Sequence, residues 1–280
     1  MHRQADVARC KMVPRTYITT SWDDGHPLDM RVADLLTKHS LTGTFYVPKF
    51  SEYGTMTVAN IRDLANSFEV GAHTVNHVVL TEATHQRASM EIAGSKLWVE
   101  DTTGVPCRLF CPPKGRFQGR HVELIREAGF LGFRTAEWFS LDFPRQNAGG
   151  LFQIPTTLQA HPHGVLSLAQ NPIKRAALGN LWRFVVHGGS AAWPDLARSF
   201  LRSALTRGGV FHLWGHSWEL QESGQWQRLE EVLRSLSCFV GDAPALTNAE
   251  ICSCAHVTQN LSIDADESSR RARAMRLELR

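Results

Sequence analysis

The feature that most constrains this chain is a repeated change of period. Short runs rich in β-branched and aromatic residues alternate with stretches whose apolar residues recur every three or four positions. The strand-like runs are TYITTSW (16–22), TGTFYVP (42–48), FEVGAH (68–73), RLFCPP (108–113), GFLGFRT (129–135), LFQIPTT (151–157) and GVFHLWG (209–215). Helical patterns lie between them, over 28–39, 58–66, 81–101, 120–128, 172–186 and 194–206, and a further one covers 225–236. In the first, Leu28, Val32, Leu35 and Leu36 form one apolar stripe. This alternation is the signature of βα units around a parallel sheet, and seven strands with intervening helices suggest an α/β barrel, closed or incomplete. With no internal repeat and no low-complexity linker, a single domain is expected over 16–258, flanked by an arm (1–15) and a charged tail (259–280).

The charge balance narrows the function. Thirty Lys and Arg face 27 Asp and Glu, a net charge of +3. A nucleic-acid binder carries a dense basic stripe, and the clearest basic run here is Arg270, Arg271 and Arg273 in the tail. No stretch has the length and apolarity of a membrane span, and MHRQADVARCKMVPR lacks the apolar core of a signal peptide, so a soluble cytoplasmic protein is expected. Six cysteines (10, 107, 111, 238, 252 and 254) are too sparse for a disulfide framework, and the Cys252/Cys254 pair lacks zinc-knuckle spacing.

Four polar clusters fall where strands end and βα loops begin, the end of such barrels at which chemistry collects. The first is Ser21-Trp22-Asp23-Asp24-Gly25-His26. Asp24-Gly25 alone reads as a turn, but two adjacent carboxylates raise each other's pKa unless a cation lies between them. Neighbouring strand residues point to opposite faces, so both carboxylates serve one site only if the strand breaks there, which Gly25 permits. The second cluster holds His73 and His77, whose spacing aligns them on one face of a helical turn. With one carboxylate they make a 2-His-1-carboxylate set, which holds Zn2+ or another divalent ion and leaves positions open for water and substrate. The third is the rigid loop Cys111-Pro112-Pro113-Lys114-Gly115-Arg116. The fourth contains His212, Trp214, His216 and Trp218, where a tryptophan is either core or a stacking platform for a sugar ring.

In order and spacing these clusters resemble the polysaccharide deacetylase family, the NodB-homology or family 4 carbohydrate esterases, over residues 16–240. The T/S-x-D-D-G motif is matched by residues 21–25, the paired-histidine motif by 73–77, and the apolar strand ending in histidine by 210–216. The Arg-Pro-Pro-aromatic-Gly motif is matched only in part, by 111–115. The resemblance implies a distorted (β/α)7 barrel. It implies Asp24, His73 and His77 as metal ligands, Asp23 as general base, and His216 as the acid that protonates the departing amine, with His212 the weaker candidate. It also implies a divalent ion, Zn2+ before Co2+, Ni2+, Mn2+ or Fe2+, an N-acetylated glycan as substrate, and an oxyanion held by the ion and a backbone N–H of the Lys114-Gly115 loop. Substrate contacts on the same reading are Pro113, Lys114, Gly115, Arg134, Trp214 and His212.

The departures are informative. Cys111 replaces the arginine that holds the base aspartate in the family, so either Arg134 or Arg116 takes that role or the base is differently tuned; Arg134 is preferred because it follows another strand and can point into the same mouth. Lys114 stands where an aromatic residue is usual, which would favour an anionic substituent. The family's Asp- and Trp-based fourth motif is only hinted at by Glu137-Trp138 and Asp142. His161 and His163 read as flexible surface histidines, with a place lining a substrate loop as the lesser alternative, and His187 reads as a helix C-terminal residue. The expected function is metal-dependent removal of an N-acetyl group from an oligosaccharide, glycolipid or glycoconjugate intermediate. The alternatives are a cyclic amide or ureide hydrolase on the same barrel and a non-catalytic carbohydrate-binding barrel. A glycosidase using Asp23 and Asp24 is a poor fit, because its carboxylates stand about 5 to 9.5 Å apart and normally come from different strands.

Overall fold

The computed structural model describes residues 16–164, 178–186 and 192–255. The predicted arm and tail, the first part of the 172–186 helix and His187 lie outside the described residues. In chain order the elements are β1 (Thr16–Asp23), α1 (Asp29–Lys38), β2 (Thr44–Val47), α2 (Val58–Ala65), β3 (Glu69–Ala72), α3 (His85–Thr103), β4 (Leu109–Phe110), α4 (Gly119–Glu127), β5 (Gly132–Arg134), β6 (Arg145–Gln146), β7 (Phe152–Ile154), β8 (Leu158–Gln159), α5 (Leu178–Val186), α6 (Trp193–Arg207), β9 (Gly209–Gly215), α7 (Ser217–Glu222) and α8 (Trp226–Ser237). A last helix, α9, covers 248–255.

The sheet runs β6-β7-β5-β4-β3-β2-β1-β9-β8 and is parallel apart from the β6–β7 hairpin. β7 and β8 are halves of one bent segment. Its first half pairs with β5 and its second with β9, and between them Thr157 donates its N–H to the His212 carbonyl while Phe139 donates to that of Thr157. The two ends of the sheet therefore meet through residues 152–159, which makes a distorted seven-membered barrel. β1 is buried along its whole length, as a strand covered on both faces must be, and it pairs residue for residue with β9.

Helices bury one stripe each against the outside of the sheet: Val32, Ala33 and Leu36 from α1, Ala88, Ile92 and Val99 from α3, and Leu229, Val232, Leu233 and Leu236 from α8. Inside, the end where strands begin is plugged by α9. The Asn248 amide accepts from the Thr19 hydroxyl and donates to Tyr46 Oη, both at 2.9 Å, and its backbone N–H meets Thr44 Oγ1 at 2.9 Å. Cys252 is buried in the same plug beside Tyr46, Phe152 and Ile154, which accounts for a cysteine pair without metal spacing. Among the described residues no helix is long and apolar enough to cross a membrane.

Candidate active site

The strand break expected at Gly25 begins one residue earlier. Asp24 (φ 78°) and Gly25 (φ 60°) are both left-handed, and a Cβ on Gly25 would lie 2.6 Å from Val47 Cγ1, so glycine is required there. Asp23 ends β1 on the face shared with Ser21, whereas Asp24 turns out of the strand; the two carboxylates consequently reach one cleft from different backbone geometries. That cleft, of about 340 Å³, opens where the strands end and is lined by Asp23, Asp24, Tyr53, His73, His77, Lys114, Gly115, Arg134, Trp138, Trp214, His216, Trp218 and Glu219, among others.

His73 and His77 do meet, though by another route than a helical turn. β3 stops at Ala72, and both Thr74 (φ 63°) and His77 (φ 51°) are left-handed. The strained loop is held from α3 by Glu91, a buried carboxylate that accepts from the Val75 N–H at 2.9 Å, the Asn76 N–H at 2.8 Å and the Asn76 amide at 2.8 Å. The His73 Nδ1–H donates to the Cys111 carbonyl at 2.6 Å, which leaves Nε2 facing the cleft. Asp24 Oδ1 lies 3.3 Å from His73 Nε2 and 3.1 Å from His77 Nε2. These donor atoms lie within 4.8 Å of one another, a nitrogen-rich set with one carboxylate oxygen that suits a divalent ion such as Zn2+. Burial raises the Asp24 pKa, but the two imidazoles outweigh it and hold the carboxyl far below its usual range.

A second grouping, Asp23, His73 and Cys111, is equally close but chemically unsuited. Burial pushes the Cys111 thiol well above its ordinary pKa, against the pull of Arg134, and a neutral thiol is a poor metal ligand. Asp23 Oδ2 and Cys111 Sγ are moreover both engaged by Arg134 Nη2, the latter at 3.0 Å. Arg134 thus fills the space beside Cys111 from the end of β5. Its guanidinium lies 4.6 Å from the Trp214 ring and is buried with it. Arg116 turns outward to Glu82 at 3.2 Å. The other oxygen of Asp23, Oδ1, is buried without a hydrogen-bond partner.

After β9, three consecutive residues diverge. His216 Nε2 sits 3.9 Å from both Asp23 Oδ2 and Asp24 Oδ2, and its Nδ1 meets Glu219 Oε2 at 2.6 Å. Ser217 donates to buried Asp29 at 2.5 Å, tying the loop to the start of α1. Trp218 Nε1 donates to Asp24 Oδ2 at 2.9 Å, and its ring stacks on Tyr53 with centroids 4.5 Å apart. Burial disfavours a charged His216, but Glu219, Asp24 and Asp23 prevail and raise its pKa to about 9.

Two of the expected contacts do not reach the cleft. His212 is buried one layer deeper, between Ser21 Oγ (2.9 Å) and the Pro155 carbonyl (2.9 Å), and burial lowers its pKa to about 3, so it is a neutral core residue. Pro113 is buried in its loop while Lys114 and Gly115 line the cleft. His161 and His163 are not loose surface groups: they are half-buried against each other, and His163 packs on Trp138 and bonds Gln159 at 2.9 Å. Of the fourth-motif hints, Trp138 lines the cleft and Asp142 is taken up by Arg145 and Arg183. Trp218 was read only as a tryptophan of the fourth cluster, without its bond to Asp24; Glu91, Glu219 and Tyr53 were not read from sequence, and of these only Glu219, next to that cluster, carried a signal that could have drawn attention.

The polysaccharide deacetylase family model matches residues 11–133. Among curated proteins, the uncharacterized protein YlxY of Bacillus subtilis is 24% identical over 110 residues, 39% of this chain but only 34% of that protein, so the alignment spans about a third of that relative. The peptidoglycan-N-acetylglucosamine deacetylase of Bacillus cereus is 26% identical over 167 residues, 59% of this chain and 70% of that protein. Among solved structures, a Mycobacterium smegmatis protein assigned to the polysaccharide deacetylases has the same fold, with a TM-score of 0.64 at 18% identity over 88% of this chain and 92% of the other. The family 4 esterase domain of a multidomain xylanase from the hindgut metagenome of Trinervitermes trinervoides gives 0.53 at 13% identity, covering 86% of this chain and 91% of that one. The polysaccharide deacetylase model thus spans the first three clusters of this chain, and the fold is shared with that Mycobacterium smegmatis protein across most of its length.

Proposed function

We propose that this protein is a metal-dependent hydrolase that removes an N-acetyl group from an N-acetylated glycan. The observation that carries the reading is the convergence of Asp24, His73 and His77 beside a second carboxylate, Asp23, whose Oδ1 is unpartnered. Asp24, His73 and His77 would hold a divalent ion, which when bound would lower the pKa of a water and polarise the acyl carbonyl. Asp23 accepts the proton of the attacking water at Oδ1, while Arg134 holds Oδ2 and orients the carboxylate. In the Pro113–Gly115 turn the Gly115 N–H already donates to the Pro112 carbonyl at 2.9 Å, which leaves the Lys114 N–H as that loop's donor toward an oxyanion. His216 gives its Nε2 proton to the departing amine, and Glu219 holds the ring through Nδ1. Trp138, Trp214 and the Tyr53–Trp218 stack offer flat apolar faces for sugar rings.

Cys111 stands where an arginine is usual, which would suit a non-catalytic barrel, but Arg134 reaches the same carboxylate from β5 and weighs against that alternative. The test needs two measurements on one preparation: bound metal per chain in wild type and His73→Ala, and acetate release from a panel of N-acetylated glycans. One divalent ion per chain, lost in the variant, together with acetate release is the expected result. Full metal occupancy with no acetate from any glycan, but opening of a cyclic amide, would transfer the site to the rival reaction. A wild type that takes up no ion after reconstitution removes the mechanism.

Trp218 provides a further check. Its indole N–H occupies Asp24 Oδ2 and so leaves Oδ1 as the oxygen facing the two imidazoles. Trp218→Phe keeps the stack on Tyr53 and removes the donor, and metal affinity measured against a competing chelator should weaken about 10- to 100-fold. Unchanged affinity would mean that Asp24 needs no such orientation.

A further inference from the structure

Resting on the deacetylase reading, we infer that the substrate carries a negatively charged oxygen substituent, a carboxylate or a phosphate, near the acyl group, and that Lys114 binds it. Lys114 belongs to the loop between β4 and α4 and lines the same cleft as the two aspartates. Its backbone is left-handed (φ 55°, ψ 14°), as is that of Gly115 (φ 61°), so the chain holds a lysine where a side chain with a Cβ is disfavoured by about 1–2 kcal/mol. The tight turn and the two prolines before it give this side chain a fixed point of departure at the rim of the cleft.

The charges around it are already matched. Asp23 is paired with Arg134, Asp24 with His73, His77 and Trp218, and Glu219 with His216 and Gln159. The neighbouring cation, Arg116, is paired with Glu82. Among the described residues no carboxylate lies within ion-pair distance of Lys114, and its side chain is exposed. Lys114 is therefore a cation of the cleft whose charge no carboxylate among the described residues compensates, and a divalent ion on the triad would add positive charge beside it. A neutral sugar would be served at this point by an aromatic face, which the cleft supplies elsewhere through Trp138, Trp214 and Trp218. An ammonium on a four-carbon stem suits a point contact with an anionic oxygen instead.

The experiment compares matched ligands that differ in charge: N-acetylglucosamine, its 6-phosphate, and N-acetylmuramic acid, whose added group is a carboxylate. Affinity is measured by calorimetry on metal-loaded protein, and kcat/KM by acetate release, for wild type, Lys114→Met and Lys114→Arg. One charged ligand should bind at least tenfold tighter than the neutral sugar at low ionic strength, and which one it is distinguishes phosphate from carboxylate. The ratio should fall toward unity in Lys114→Met, persist in Lys114→Arg, and shrink with added salt. Acetate release from neutral and charged sugars alike, with no preference in either assay and no change in Lys114→Met, would overturn the inference and leave the deacetylase reading intact. Selective binding of a charged sugar without acetate release from any of them would do the reverse.

Discussion

Asp23→Asn should lower the rate of acetate release about 10²- to 10⁴-fold, the usual contribution of a positioned general base, while the protein keeps its bound metal. The substitution preserves the shape of the side chain and its contact with Arg134, and it removes the charge at Oδ1, the oxygen that has no hydrogen-bond partner. Metal content measured alongside the rate separates two roles. Metal retained with turnover lost assigns Asp23 to proton transfer; metal lost with turnover would make Asp23 a ligand and favour the grouping with His73 and Cys111. Turnover close to wild type would mean that another group accepts the proton.

The second large effect is structural. Arg134→Met should destabilise the fold by about 3–5 kcal/mol, because it strands the Asp23 carboxylate in a buried site without its counter-charge. For a chain of this size the thermal midpoint should drop by roughly 2–4 °C for each kcal/mol. The double variant Cys111→Arg/Arg134→Met restores a guanidinium from the end of β4, since Cys111 Sγ lies only 3.0 Å from Arg134 Nη2. Recovery of most of the lost stability is expected. A double variant no more stable than the single one would show that Arg134 acts through its packing on Trp214 and Tyr46, not through its charge.

Which parts of this arrangement could be read from sequence follows from what each signal measures. The seven strand segments were legible because buried parallel strands concentrate apolar and β-branched residues into short runs bounded by turns. The bend that makes β7 and β8 two halves of one segment was not, since it depends on pairing with β5 on one side and β9 on the other. The meeting of Asp24, His73 and His77 beside Asp23 was legible through spacing and resemblance, and the contact of Arg134 with Asp23 through the position of its strand end. His212 was misjudged for a definite reason: residues 212, 214 and 216 share a face, and period two gives the face without giving the depth. Glu91 and Tyr53 could not be found at all, because they meet the site from a helix face and a loop that have no motif of their own.

The pairing of β1 with β9 also bears on how the molecule comes into being. Ser21 and His212 bond across 191 positions of chain, and Asp24 and Trp218 across 194. Asp24, His73 and His77 are all made by residue 77, early in synthesis, whereas His216 and Trp218 emerge only after most of the barrel has been made. Contacts of such separation are slow to form, because the ends of a long flexible chain must be brought together before any pairing rewards it. A nascent chain that has reached α6 therefore holds Asp24, His73 and His77 yet has neither the final strand of the ring nor His216 and Trp218, and the cleft is completed in one step with the last strand.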